Sequence, residues 1–240
     1  MKALALDTAI SCIQVAAKND DNIASLVLDI GMKQSEKLLP AIDYVLKQAD
    51  LAASDLDCAV LCEGPGSFTG LRLGFAALKA IELFGGRKEN SDSSRIPLYA
   101  INTLDAYAWP YLDFDGIILP VIDAHKDKFY AKAFLNKKEI LSCDDWDLRV
   151  LEEKLSQAPK AAAGKILVCG LEAKTFIDAC KENGLFSKNE LVAARGRSIN
   201  LDSLFALAQE KISSGQPPLA DYDGPQYFRA SEAEQNLPSA

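Results

Sequence analysis

An α/β fold built from two tandem βββαβα units is what the sequence predicts, and three observations carry it. Short apolar strand patterns open the chain, joined by turns too tight for crossover connections. Helical patterns and a short buried-strand pattern then alternate. After about 115 residues the same order starts again, so that "LALDTA" stands beside "PVIDAH" and Asp7 falls opposite Asp123.

Taken in order, "KALALDTA", "CIQVAAK" and "IASLVLDI" read as three strands of an antiparallel meander, the last two separated by the polar "NDDN". A helix follows from Ser35, its expected N-cap, with Leu38, Leu39, Ile42, Val45, Leu46 and Ala49 on one apolar face. "CAVLCE" reads as a short buried strand. The glycine-rich "GPGSFTGLRLG", Gly64–Gly74, leads it into a second helix that reaches Phe84. "GGRKENSDSSR" is a polar loop and "IPLYAI" another strand. In the second half, "IILPVIDA", "KFYAKAFL" and "KEILSC" are strands joined by the short turns "HKD" and "NKK". A helix in "DWDLRVLEEKLSQA", a strand in "KILVCG" and a helix in "LEAKTFIDACKENG" complete the repeat. A last helix, "NLDSLFALAQEKIS", aligns Leu201, Leu204, Phe205, Ala208 and Ile212 on one stripe, and the polar tail after it is expected to fray. The division expected is an N-terminal subdomain over 1–103 and a smaller C-terminal one over 104–240.

Composition narrows the function. Apolar residues make up 49% of the 240 and charged residues 25%, enough apolar content for a proper core. The apolar runs fall far short of a membrane span, and no basic-then-apolar leader precedes the first strand pattern, so a cytoplasmic protein is expected. A net charge of −8 with scattered lysines argues against independent nucleic-acid binding, which needs a local surplus of Lys and Arg. The six cysteines show no metal or disulfide spacing: Cys58 and Cys62 share a strand face about 13 Å apart, and the others stand alone. Buried free thiols are the expected state.

His125 is the only histidine. That count removes two-histidine metal sites, metallopeptidase chemistry included, and most base-relay hydrolases. Ser67 does not form a nucleophile elbow, because the order is Gly66-Ser67-Phe68-Thr69-Gly70 rather than G-x-S-x-G; Ser67 or Thr69 reads as a helix N-cap. The signature stretch Gly64, Pro65, Gly66, Ser67, Phe68, Thr69 lacks the P-loop lysine. Beyond it, Gly70, Gly74 and Ala77 share one helix face. A helical glycine costs roughly 1 kcal/mol relative to alanine, and close approach of another backbone is the usual compensation. That backbone could belong to the same domain or to a partner subunit, and a phosphate at the helix N-terminus is a third reading.

Two βββαβα units in tandem describe the actin-like ATPase (ASKHA) fold, whose active members hold ATP between the units with first-strand aspartates facing metal and phosphates. By that analogy Asp7, Thr8 and Asp123 mark a vestigial nucleotide site, and a stand-alone ATPase or kinase using Asp7 and Asp123 is the alternative function. The glycine-containing turns of working enzymes are absent after both aspartates, where Thr8-Ala9-Ile10 and Ala124-His125-Lys126 stand.

"GPGSFTGLRLG" resembles the signature of the bacterial tRNA threonylcarbamoyladenosine biosynthesis family TsaB (YeaZ). "LALDTA", "SEKLLPAI", "VIDAHKDKFY" and "PQYFRAS" agree with it in order, so the resemblance spans nearly the whole chain. It implies an actin-like fold with a reduced second unit and no catalytic chemistry of its own. It also implies a scaffold role beside the related catalytic subunit TsaD, which modifies adenosine 37 of tRNAs that read ANN codons. The ATPase component TsaE would be a further partner, a homodimer would form when the chain is alone, and tRNA would be contacted only indirectly. The H-x-x-x-H metal pair of the catalytic subunit corresponds here to Thr103 and Tyr107, which implies no metal site and no cofactor for the isolated chain. ATP or ADP would bind, if anywhere, at the interface of an assembled complex. The helix after the signature is the pairing helix of the family, which points to Gly70, Leu71, Gly74, Phe75, Ala77 and Leu78 as the partner interface. Gln34-Ser35 stands where many members carry a histidine.

Overall fold

The computed structural model describes residues 1–85, 95–126, 128–157, 164–195 and 201–228. Three strands open it: β1 (Lys2–Asp7), β2 (Cys12–Asn19) and β3 (Asn22–Asp29). Helix α1 (Gln34–Gln48) leads to β4 (Cys58–Gly64), helix α2 (Phe68–Phe84) to β5 (Leu98–Asn102), and a short α3 (Thr103–Ala108) ends the first round. The second round is β6 (Ile117–His125), β7 (Lys128–Leu135), β8 (Lys138–Asp147), α4 (Leu148–Ser156), β9 (Lys165–Cys169), α5 (Ala173–Glu182) and β10 (Glu190–Ala193). Helix α6 (Leu201–Ser213) follows.

The predicted duplication is visible in the hydrogen bonding. One sheet runs β3-β2-β1-β4-β5 and the other, read from its far edge, β8-β7-β6-β9-β10. In both, the meander is antiparallel and the last two strands lie parallel to the first. This is the actin-like arrangement. The central strands are buried on both faces, and so they read as apolar runs rather than alternations. Strand β7 has its two faces unequally covered and alternates buried with half-buried residues along its length.

Several boundaries differ from the sequence reading, each for a local reason. A 3-10 turn (Gly31–Lys33) precedes α1, so Lys33 occupies the cap position without a side-chain bond and Ser35 lies exposed in the first turn. Leu39 is 62% exposed rather than in the core, whereas Leu38, Ala41, Ile42, Val45 and Leu46 face inward. Strand β8 continues through "DDWD" because Trp146 pairs with Phe129 and its Nε1 donates to the Ala131 carbonyl at 3.2 Å. Strand β10 is four residues long and only half-buried, too little pattern to mark it.

Two compact units result, Met1–Ala106 with Ile199–Gln226, and Tyr107–Ser198 with the chain from Tyr227. The boundary expected after residue 103 assigns α6 to the second unit; its contacts place it with the first. Leu204, Phe205 and Ala208 are buried there, and Lys211 Nζ donates to the Ala100 carbonyl at 2.7 Å. The tail expected to fray, "SEAEQNLPSA" at 231–240, lies outside the described residues.

In the second unit Phe176 is fully buried, edge-on to Phe129 at 5.1 Å and tilted against Phe186 at 6.0 Å. Phe176→Ala should lower the unfolding free energy by about 3–5 kcal/mol in urea titrations; a loss below about 1 kcal/mol would contradict this packing.

Candidate functional site

The first strand ends in a four-residue turn, Asp7–Ile10, whose every residue is tied to a different element. Asp7 Oδ1 accepts from the Ala9 amide at 2.8 Å, and Oδ2 accepts from Gln14 Nε2 on β2 at 3.0 Å. Thr8 Oγ1 donates to the Gly70 carbonyl on α2 at 2.7 Å. The Ala9 carbonyl accepts from the Ser67 amide of the glycine-rich turn at 2.6 Å. The Ile10 carbonyl accepts from Gln34 Nε2 on α1 at 2.6 Å, which gives the buried Gln34 a structural role.

Asp7 is fully buried, and the loss of hydration pushes its pKa up to about 6 against the pull of these hydrogen bonds and of one from the Cys62 thiol. Burial and the Asp7 carboxyl raise the Cys62 thiol well above its ordinary range. Burial likewise pushes Cys58 up to about 11, and none of the six cysteines is in a disulfide.

The glycine stripe of α2 faces this turn. A side chain at Gly70 would collide with the Thr8 carbonyl, and one at Gly66 with the Ala9 carbonyl. At Gly74 a Cβ would lie 2.5 Å from Thr8 Oγ1. The close approach that compensates for helical glycines therefore exists, but the approaching segment is the turn after β1 in the same unit. Leu71, Phe75, Ala77 and Leu78 are buried beside it. The expected interface of Gly70, Leu71, Gly74, Phe75, Ala77 and Leu78 is thus corrected to an internal seam.

The signature turn is likewise engaged within the unit. Gly64 has φ +124, and a Cβ there would lie 2.5 Å from the Gln226 carbonyl; Gly64–Pro65 is a cis bond. Ser67 caps α2, its Oγ accepting from the Gly70 amide at 3.2 Å. Phe68 is half-exposed under the Arg72 guanidinium, 3.9 Å from its ring centroid, and Thr69 is exposed. The Ser67 and Gly70 amides already donate internally, so these two are not offered to a phosphate.

What α2 presents outward is another stripe: Thr69, Leu73, Ala76, Ala80 and Leu83, spaced 4-3-4-3. Ala76 and Ala80 are exposed, Leu83 is 44% exposed and Leu73 is partly buried. That spacing is the seam by which one helix packs along another. Helix α1, which touches α2, exposes Leu39. This spacing is present in the sequence beside the glycine stripe, and periodicity alone does not say which of the two turns outward.

The second unit repeats the strand-end turn. Asp123 Oδ1 accepts from the His125 amide at 2.7 Å, as Asp7 does from Ala9 two residues on, and its Oδ2 lies 3.6 Å from Nδ1 of the exposed His125. Opposite Asp123 in the register is Phe129, where Asp7 has Gln14. Asp7, Thr8 and Asp123 thus each have a structural partner within their own unit or stay at its surface. Thr103 and Tyr107 lie one turn apart on α3, buried. Among the described residues, no group of three or more His, Cys, Asp or Glu is placed to hold a metal ion. No described helix is long and apolar enough to cross a membrane.

Comparison with known proteins adds several similarities. The family model described as TsaD, tRNA N6-adenosine threonylcarbamoyltransferase, matches residues 31–146. The tRNA threonylcarbamoyladenosine biosynthesis protein TsaB of Bacillus subtilis (strain 168) is 27% identical over 98% of this chain and 96% of its own length. The protein of that name from Escherichia coli (strain K12) is 22% identical over 99% of each. Among solved structures, YeaZ from Pseudomonas aeruginosa superposes with a TM-score of 0.71 at 20% identity, over 94% of this chain and 99% of that one, and supports the fold.

Two outcomes test the geometry. Asp7 binds its proton more tightly folded than unfolded, so between about pH 4 and pH 6 its contribution to stability falls as pH rises, by roughly 3 kcal/mol in all. Asp7→Asn keeps the acceptor for Ala9 and removes the charge; relative to the parent it should gain stability at pH 7 but not at pH 4 in urea unfolding. An equal difference at both pH values would refute the buried ionisable carboxyl. Gly74→Ala forces its Cβ against Thr8 and should cost about 1–3 kcal/mol; a neutral or stabilising result would return the stripe to the surface.

Proposed function

We propose, on the premise that the chain belongs to the TsaB/YeaZ family, that it serves in threonylcarbamoyladenosine biosynthesis as a non-catalytic scaffold subunit. It pairs through the outward face of α2 with the catalytic subunit of the TsaD class, which modifies adenosine 37 of tRNAs reading ANN codons. The observation that supports this reading best is the 4-3-4-3 stripe of Thr69, Leu73, Ala76, Ala80 and Leu83 on a helix whose opposite face is anchored rigidly by glycines and Thr8. A helix so fixed offers a preorganised surface, which lowers the entropic cost of docking. The same stripe joins a second copy of the chain when the catalytic subunit is absent. TsaE binds the assembled pair, and ATP or ADP sits at the interface of the complex rather than in the isolated chain. A net charge of −8 suits a subunit that leaves tRNA binding to its partners.

The stand-alone ATPase or kinase reading is weaker, because the turn after Asp7 already directs its polar groups to α1, α2 and β2. Micromolar Mg-ATP binding by the isolated chain would revive it.

The direct test is light scattering on a size-exclusion column, with the chain alone and mixed with the catalytic subunit from the same organism. Ala76→Arg and Leu83→Glu lie on the surface and should keep the circular dichroism of the parent. Each should weaken a one-to-one complex by about thirtyfold or more, the loss of a binding hot spot. Full complex formation by both variants would overturn the docking face.

A further inference from the structure

Strand β3 stands at the edge of its sheet. It runs for eight residues, Asn22–Asp29, in unbroken register with β2, and among the described residues no strand pairs with its far side. Such a row of amides and carbonyls is a template for another strand unless the edge is guarded. The other three edges of the two sheets are guarded. On β5 the Leu98 carbonyl accepts from the Leu219 amide at 2.8 Å, and the Ala100 carbonyl accepts from Lys211 Nζ at 2.7 Å. Strand β8 pairs with β7 through two register shifts and carries Lys138, Glu139, Asp144, Asp145 and Asp147. Strand β10 is only four residues long. On β3 the stretch from Asn22 to Leu28 has no charge and no proline, and no bulge interrupts it. Its Ile23 and Val27 are 45% and 48% exposed, while Ala24, Leu26 and Leu28 pack against the core from the opposite face.

We infer that the free edge of β3 is a strand-addition site for another protein, and that its occupant is an extended segment with alternate apolar residues and basic ends. Ile23, Val27 and Asp29 point to one side, as odd-numbered residues of one strand do, and Asp21 stands in the turn just before the strand. Both aspartates are exposed, and no described residue forms an ion pair with either. A segment laid antiparallel along β3 is therefore held best by apolar side chains opposite Val27 and Ile23 and by lysine or arginine opposite Asp29 and Asp21. The same acids disfavour a second copy of the chain. In the two-fold antiparallel register that sets Ile23 against Val27 of the other copy, Asp21 falls against Asp29 at both ends. A shift of two residues sets Asp29 against Ile23, or Asp21 against Val27, instead. Like charges opposite each other destabilise a strand pair, and an apolar neighbour strips water from a carboxylate.

The test is an amide-resolved NMR titration of the full chain with two synthetic peptides capped at both ends, KSVTTTVSK and its charge-reversed control ESVTTTVSE. The basic peptide should saturate with shifts centred on the Asn22–Asp29 amides, and the acidic one should bind about tenfold more weakly at low salt. Val27→Lys supplies the guard charge that the edge lacks. At an exposed position it should keep the parent spectrum away from β3 and weaken the basic peptide by about tenfold or more. Ala76→Arg, on the outward face of α2, should bind the peptide as the parent does, so the outcome is independent of the α2 docking face. Equal affinity for the two peptides would overturn the basic occupant, and shifts that bypass β3 would overturn the edge as a site. A dimer in light scattering that Val27→Lys dissociates would overturn the assignment in favour of a second copy.

Discussion

The first unit is organised by the Asp7–Ile10 turn. Its four residues reach β2, α2, the glycine-rich turn and α1 through one side-chain or backbone hydrogen bond each. Two of those bonds satisfy the turn's own carbonyls, those of Ala9 and Ile10, groups that a buried turn must pair somewhere. The glycines at 66, 70 and 74 follow from this requirement: α2 has to come within hydrogen-bond distance of the turn, and a Cβ at any of them would hold it away. The signature is thus a steric specification for seating one helix on one turn.

The duplicated half shows how the same local device serves different ends. Both first strands finish with an aspartate that caps the amide two residues on. In the first unit the carboxyl is enclosed, and Gln14 supplies a second donor to offset the lost hydration. In the second, Phe129 occupies the opposing position, the aspartate stays partly solvated, and no buried donor is needed. A single exchange across the register, glutamine for phenylalanine, accompanies the change from buried charge to surface turn.

Much of the fold was legible because apolar periodicity and turn residues report directly on backbone hydrogen bonding. The meander, the repeat and the cap at Ser67 are of this kind. Which face of α2 turns outward was not. Two stripes coexist on that helix, one carrying the glycines and one at 4-3-4-3 spacing, and periodicity alone does not say which side meets the sheet. Thr8 decides it, through a hydrogen bond across 62 residues of sequence that no local pattern encodes. The expected placement of α6 in the second unit failed for a related reason, since an amphipathic stripe names a buried face without naming the surface that buries it. Leu39 shows the reverse: on a helical wheel it lies at the edge of the apolar arc, and only the extent of the neighbouring sheet leaves it in solvent.

The first unit is also interrupted in sequence. Its sheet and first helices come from Met1–Ala106, yet α6 and the segment that reaches Glu63 come from Ile199–Gln226. During synthesis the N-terminal strands leave the ribosome long before the helix that covers one of their faces. The second unit, mostly contiguous, has nearly all of its chain available earlier. The unit that begins first therefore gains its covering helix only after the main span of the second, Tyr107–Ser198, has been made, and until then one face of its sheet lacks that cover.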